Sequence, residues 1–278
     1  MAASYHTRSN SFPTRSHPLT SDVGENLRRL RYSQAASTSL SSSIAHELNG
    51  LQDLHDSVDK MLQLPLVQQA LAQGQHKKWV DDLLNGSLRI LETSSIAQNA
   101  LLQIKESTQG LQSVLRRRGG DEIELATEVK KCIASRKALK KEVHKALANL
   151  QGMGNKCSSL INEEHVSALK EVEAVTLAAF GSLLSFISGA GIPSKLSGFV
   201  LASKLIRPKR IACEEVKTET NEFEKVDAAL TLKSVSTVYL QNQLKELESS
   251  IQDLEEGLGS LSRRLIKARV SFLNILNN

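Results

Sequence analysis

The sequence predicts an all-α protein, an elongated antiparallel helical bundle with a disordered N-terminal tail. Three observations carry this expectation. Apolar residues recur at intervals of three and four from Leu27 onward, without strand-like alternation. Only five prolines interrupt 278 residues. Hydrophobic residues reach 40% with aromatics at 4%, an apolar supply sufficient for a core and too large for wholesale disorder. The expected division is a basic, Ser-rich tail over residues 1–26 and a single bundle domain over 27–278, with a less ordered connection near 189–222.

Residues 1–21 contain no acid, two Arg and eight Ser or Thr, and no apolar run long enough for a signal-peptide core. Arg8-Ser9-Asn10-Ser11-Phe12-Pro13 reads R-S-x-S-x-P. A phosphate on Ser11 would add roughly −1.5 to −2 charges, the feature that Arg-lined phosphopeptide readers clamp. Ser9 and Ser11 are therefore the candidate phosphosites, and a phosphoserine-binding adaptor of the 14-3-3 kind is the candidate partner. The alternative is a plain solvated tail.

The first helix is expected over Ser41–Leu62, with Ile44, Leu48, Leu51, Leu54, His55, Val58 and Leu62 on one face. Pro65 suits the first turn of a short helix to Gln73, which Gly74 stops. A long seam follows: Leu83, Ser87, Ile90, Ser94, Ala97, Leu101, Ile104, Thr108, Leu111 and Leu115. Its small polar members predict close packing on neighbours. Arg116-Arg117-Arg118 sit where cations favour the helix dipole, and Gly119-Gly120 ends the run. Asp121 then caps a third long helix, whose stripe is Leu125, Val129, Cys132, Arg136, Leu139, Val143, Ala146 and Leu150. Gly152 and Gly154 break it, and Asn162 starts another helix reaching about Ser188. Residues 195–222 show no sustained period.

The C-terminal pattern is the most regular. Leu240, Leu244, Leu247, Ile251, Leu254, Leu258, Leu261, Leu265, Ala268, Phe272 and Ile275 keep the four-three rhythm throughout. A coiled coil is one reading. The largely uncharged flanks favour packing into the protein's own bundle.

The chemistry search is mostly negative. No glycine loop with a Lys-Ser/Thr ending follows a strand, and the histidines form neither HxxxH nor HExxH. Cys132, Cys157 and Cys213 are odd in number and widely spaced, which excludes a disulfide scaffold and favours a reducing, cytoplasmic setting. No cofactor, metal or catalytic residue is expected, and the chain reads as a non-enzyme. Membrane association and a plastid are the alternative locations. Oligomeric state is left open.

Two surfaces remain. Between Arg116 and Lys145, ten Lys or Arg face five acids, so this stretch holds a +5 excess equal to that of the whole chain. Arg116, Arg117, Arg118, Lys137, Lys140 and Lys141 are the candidate contacts for an anionic surface, lipid included. Nucleic acid is disfavoured because aromatic stacking platforms are missing. Ala174–Ser194 is 21 residues without a charge, long enough to span a bilayer. Its Ser, Gly, Thr and Pro content favours a buried bundle helix, with a membrane anchor as the second reading.

Several segments together resemble a plant protein family of unknown function related to the BYPASS proteins. They are HTRSNSFPTRSHP near the start, LQLPLVQQAL at 62–71, WVDDLLNGSLRILE at 79–92 and KESTQGLQSVLRRR at 105–118. SRKALKKEV at 135–143, EVEAVTLAAFGSLLSFISG at 171–189 and LESSIQDLEEGLGSLSRRLIKARVSFLNILN at 247–277 complete the set. The resemblance covers almost the whole chain. It implies an all-helical plant protein acting in root and shoot development through protein interactions, with no catalytic residues to carry over. Some relatives are thought to associate with membranes, which adds weight to the alternative of a peripheral or anchored protein using 174–194 and 116–145.

Overall fold

The computed structural model describes residues 18–36, 41–74, 78–117, 122–151, 164–189, 220–232 and 236–277. Among the described residues the regular elements are eight helices and no strand. They are α1 (Pro18–Ala36), α2 (Ser41–Leu62), α3 (Pro65–Gln73), α4 (Lys78–Arg116), α5 (Glu122–Gln151), α6 (Glu164–Ser188), α7 (Glu222–Thr231) and α8 (Thr237–Asn277). The all-α expectation holds, as do the bounds of α2 and α3.

Cross-helix contacts give the directions. Ser94 meets Ser262 at 2.6 Å, Gln112 meets Glu248 at 3.1 Å, and Gln241 donates to the Leu115 carbonyl at 3.1 Å, so α4 and α8 run antiparallel. Asn26–Ser57 and Arg29–Asp53 set α1 antiparallel to α2 in the same way. Gln52 reaching the Gly257 carbonyl and Asp56 pairing Arg264 place α2 parallel to α8. The 41 residues of α8 span about 60 Å at 1.5 Å per residue, which makes the bundle elongated.

A single apolar core draws on all eight helices. α8 contributes ten buried apolar side chains, from Leu240 to Leu276. At roughly 1.5–3 kcal/mol each, these far outweigh the cost of about 1 kcal/mol for each of its two interior glycines. Its seam lies against α2 and α4, with α3 and α7 beside them. The near-miss is at the end, where Leu276 is buried and Ile275 only half so.

α6 is the central rod, touched by α1, α2, α4, α5 and α7. Leu183, Leu184, Ser185, Phe186, Ile187 and Ser188 are buried in succession, so the helix is enclosed on every side there. Two of its buried hydroxyls turn onto their own helix, Thr176 donating to the Val172 carbonyl at 2.7 Å and Ser188 to that of Ser185 at 2.9 Å, while the buried Ser185 hydroxyl has no partner among the described residues. Where they form, such local bonds let polar residues lie in a core without stranded donors. α6 ends at Gly189, whose φ of +65° is the left-handed stop that glycine favours.

One expectation is corrected, and a second falls largely outside the described residues. The tail expected through residue 26 is shorter, because α1 starts at Pro18 and residues 18–26 are helical. Proline's fixed φ suits a first turn, and Thr20, Val23, Leu27 and Leu30 form a buried stripe. Of the connection near 189–222, residues 190–219 lie outside the described residues, and α7 already begins at Glu222. Asn221 caps α7 by accepting from the Glu224 N–H at 2.8 Å, and its amide donates to the Phe186 carbonyl at 3.1 Å.

Candidate functional site

α5 is an edge helix. Cys132, Arg136, Leu139, Val143 and Ala146 are buried, where α5 packs on α4 and α6 and, at one place, α7. The opposite side faces solvent. Lys130, Lys137, Lys141 and Lys145 stand there, all exposed, at steps of seven and four that align them in one row. The row is about 22 Å long at helical rise. None of the four forms an ion pair with any described residue. The nearby acids are engaged elsewhere or point sideways: Glu124 pairs Arg117 at 3.0 Å and Glu128 pairs Lys131 at 3.0 Å. The exposed alanines Ala126, Ala134 and Ala148 lie on the same side of the helix.

The sequence-derived set is thus divided. Lys137 and Lys141 belong to the row. Lys140 does not, because its ammonium turns to Asp227 at 2.8 Å. Arg116 and Arg117 are exposed at the end of α4, Arg116 donating to Gln112 at 3.3 Å. Arg118, Ser9 and Ser11 lie outside the described residues. Lys130 and Lys145 complete the row; they were counted in the basic stretch without being singled out, and helical spacing was the signal that would have found them.

A second cluster was visible only as one stripe residue. Arg136, 5% exposed, grips Asp227 through Nε–Oδ1 and Nη2–Oδ2, both 2.8 Å, and its Nη1 donates to the Ile187 carbonyl at 3.1 Å. The guanidinium also lies 5.6 Å from the Phe223 ring, which meets Phe186 edge-on at 5.3 Å. Burial pushes the Asp227 carboxyl up, but the bonds and charges of Arg136 and Lys140 prevail and hold it below the ordinary range. The cluster ties α7 to α5 and α6. It is a fastening between helices.

Two further titratable groups on α2 are shifted by burial. Burial raises the Glu47 carboxyl to about 7, against the lowering bond from Gln34 at 2.8 Å. Burial likewise brings the His55 imidazole down to about 4. Among the described residues no three His, Cys, Asp or Glu side chains gather to hold a metal ion. His165–Ser188 is long and apolar enough to cross a membrane by length and composition, with mean hydropathy 1.4, and 67% of that window is buried inside the bundle. Of the uncharged stretch 174–194, the part in α6 is therefore spent on internal packing, and residues 190–194 lie outside the described residues.

An enclosed core beneath a row of lysines that have no ion-pair partner among the described residues defines an all-α bundle with a cationic outer helix. The family described as Protein BPS1 matches residues 47–275, well over half of the chain. The chain belongs to this family of BYPASS-related plant proteins. No curated protein and no solved structure matches it.

Proposed function

We propose that this BPS1-family chain acts in plant development, in root and shoot, by binding rather than by catalysis, with the lysine row of α5 as the surface that engages an acidic protein partner. The supporting observation is the row itself: Lys130, Lys137, Lys141 and Lys145 are exposed, aligned and free of carboxylates among the described residues. An unpaired row of one sign attracts and orients an opposite surface before contact. Small alanines between the lysines allow close approach. An interfacial membrane helix also carries large apolar side chains such as Trp, Phe and Leu, and the exposed ones of α5 are only Ile123 and Ile133. This balance favours a protein surface over a bilayer. In the same reading, phosphorylated Ser9 or Ser11 offers an adaptor a separate handle, and the location is cytoplasmic.

The anchored-membrane alternative has one observation of its own, the length and hydropathy of α6. Using α6 that way would strip it from five helices.

The test is rescue of a plant line lacking the chain, comparing wild type with Lys130→Glu/Lys137→Glu/Lys141→Glu/Lys145→Glu. The expected result is an unchanged melting temperature, lost rescue, and no flotation of either protein with anionic vesicles. Full rescue by the reversed variant would remove the row from the function. Flotation of wild type alone would transfer the row to a lipid surface.

A further inference from the structure

α4 and α8 meet along a line marked by Ser94 with Ser262 and by Ser87 with Arg269. On one side of that line lies the core, where Leu83, Ile90, Leu265 and Phe272 are buried. The other side is a groove facing water. A step of four residues from Ser87 and from Ser262 reaches Leu91 and Ile266, and a step of one from Ser87 and from Arg269 reaches Leu88 and Val270. Equal steps turn a side chain through equal angles about its own helix, and on antiparallel helices they carry both to the same side of the line. Leu88, Ile266 and Val270 are therefore neighbours in the groove, 43%, 53% and 49% exposed, beside the half-buried Leu84 and Leu91.

Two charges border this patch. Arg263 is exposed on α8, next to Ser262, and Glu92 is exposed on α4, next to Leu91. Neither has an ion pair or hydrogen bond with any described residue. They do not meet within one chain, because Glu92 stands about 100° further round α4 than Leu91, on the side turned away from α8. Lys267, the other cation along this edge, is held by Asp59 at 2.9 Å.

We infer that a second copy of the chain docks on this groove, the two grooves facing each other about a two-fold axis parallel to the helices. An apolar patch rimmed by polar residues marks an interaction surface, and the match of the patch to its own image selects the occupant. Such an axis keeps every residue at its own height along the bundle and lays α8 of one copy on α4 of the other. The register of Ser87 with Arg269 and of Ser94 with Ser262 then brings Val270 opposite Leu88 of the second copy, and Ile266 opposite Leu91 of the second copy. Each helix at the joint gains an antiparallel neighbour, with opposed dipoles. Arg263 of each copy comes within about one turn of Glu92 of the other, so opposite charges meet twice. This face is the outer side of α8 and not its buried seam. It leaves α5 uncovered, so the inference stands apart from the lysine row.

Sedimentation velocity of the full chain over a concentration series tests this. Wild type is expected to dimerise. Arg263→Glu and Glu92→Arg each set like charges at both contacts and should raise the dissociation constant by more than about tenfold. An equimolar mixture of these two variants should recover the dimer, because every contact in the mixed pair is again opposite in sign. Val270→Asp should stay monomeric, and circular dichroism should show all three variants as helical as wild type. A wild type that is monomeric at every concentration would overturn the inference, as would a dimer indifferent to Arg263→Glu or to Val270→Asp. Two weakened variants that fail to pair on mixing would overturn the two-fold arrangement of α4 on α8.

Discussion

Glu47 is the residue at which burial and charge conflict most directly. Glu47 is 3% exposed between α2 and α1, and the hydrogen bond it accepts from Gln34 does not offset the loss of water. With a folded value near 7 against about 4.3 unfolded, the folded state holds the extra proton between those limits. Stability therefore falls as pH rises from about 4.3 to 7, and the full penalty, on the order of 3 kcal/mol, applies above 7. Glu47→Gln should raise the melting temperature at pH 8 and leave it unchanged at pH 4, as scanning calorimetry at the two pH values would show. His55 has the opposite sign: its depressed value means that stability is lost as pH falls from about 6.5 toward 4. Neither shift could be read from the sequence. Both residues stand on the apolar face of α2, but the depth of that face depends on helices far along the chain. Lys137 and Lys140 make the same point. They look alike in sequence, and only the position of Asp227 on α7 turns one inward and leaves the other in water.

At the scale of the helices, α7 depends on a few specific contacts. It has ten residues, too few for stability from local propensity. Phe223, fully buried against Phe186 and Arg136, anchors it. Phe223→Ala should cost about 3–5 kcal/mol. Amide exchange should then show α7 unprotected while the middles of α4 and α8 stay slow; a uniform loss of protection would mean that α7 is no separate fastening. Asn221 followed by Phe223, Val226, Ala229 and Leu230 is a readable cap and stripe, but ten residues give a period too few repeats to stand out. α4, α5 and α8 were legible because 30 or more residues repeat the same stripe. α1, which precedes the first helix expected at Ser41, was missed for a different reason. Its buried stripe begins among Ser and Thr, which composition assigns to a tail.

At the scale of the molecule, the seam of α8 was compatible with two chains side by side or with one bundle. The antiparallel contacts with α4 place both halves of the seam in one chain. Ser94→Cys with Ser262→Cys, with Cys132, Cys157 and Cys213 replaced by Ala, should close a disulfide across residues 168 apart in sequence. It should run as a compact monomer on a non-reducing gel, and its loop should add up to about 4–5 kcal/mol of stability. A covalent dimer would instead assign the seam to self-association. The pairing of particular helices was beyond the sequence because a stripe marks which side is buried and is silent about which neighbour covers it.

The parallel pairing of α2 with α8 bears on how the chain emerges from the ribosome. Asp56 meets Arg264 only after another 208 residues have been made, roughly 10–40 s at ordinary elongation rates. Throughout that interval the leucines of α2 lack their final cover, so nascent chains should engage holding chaperones until the last helix is released.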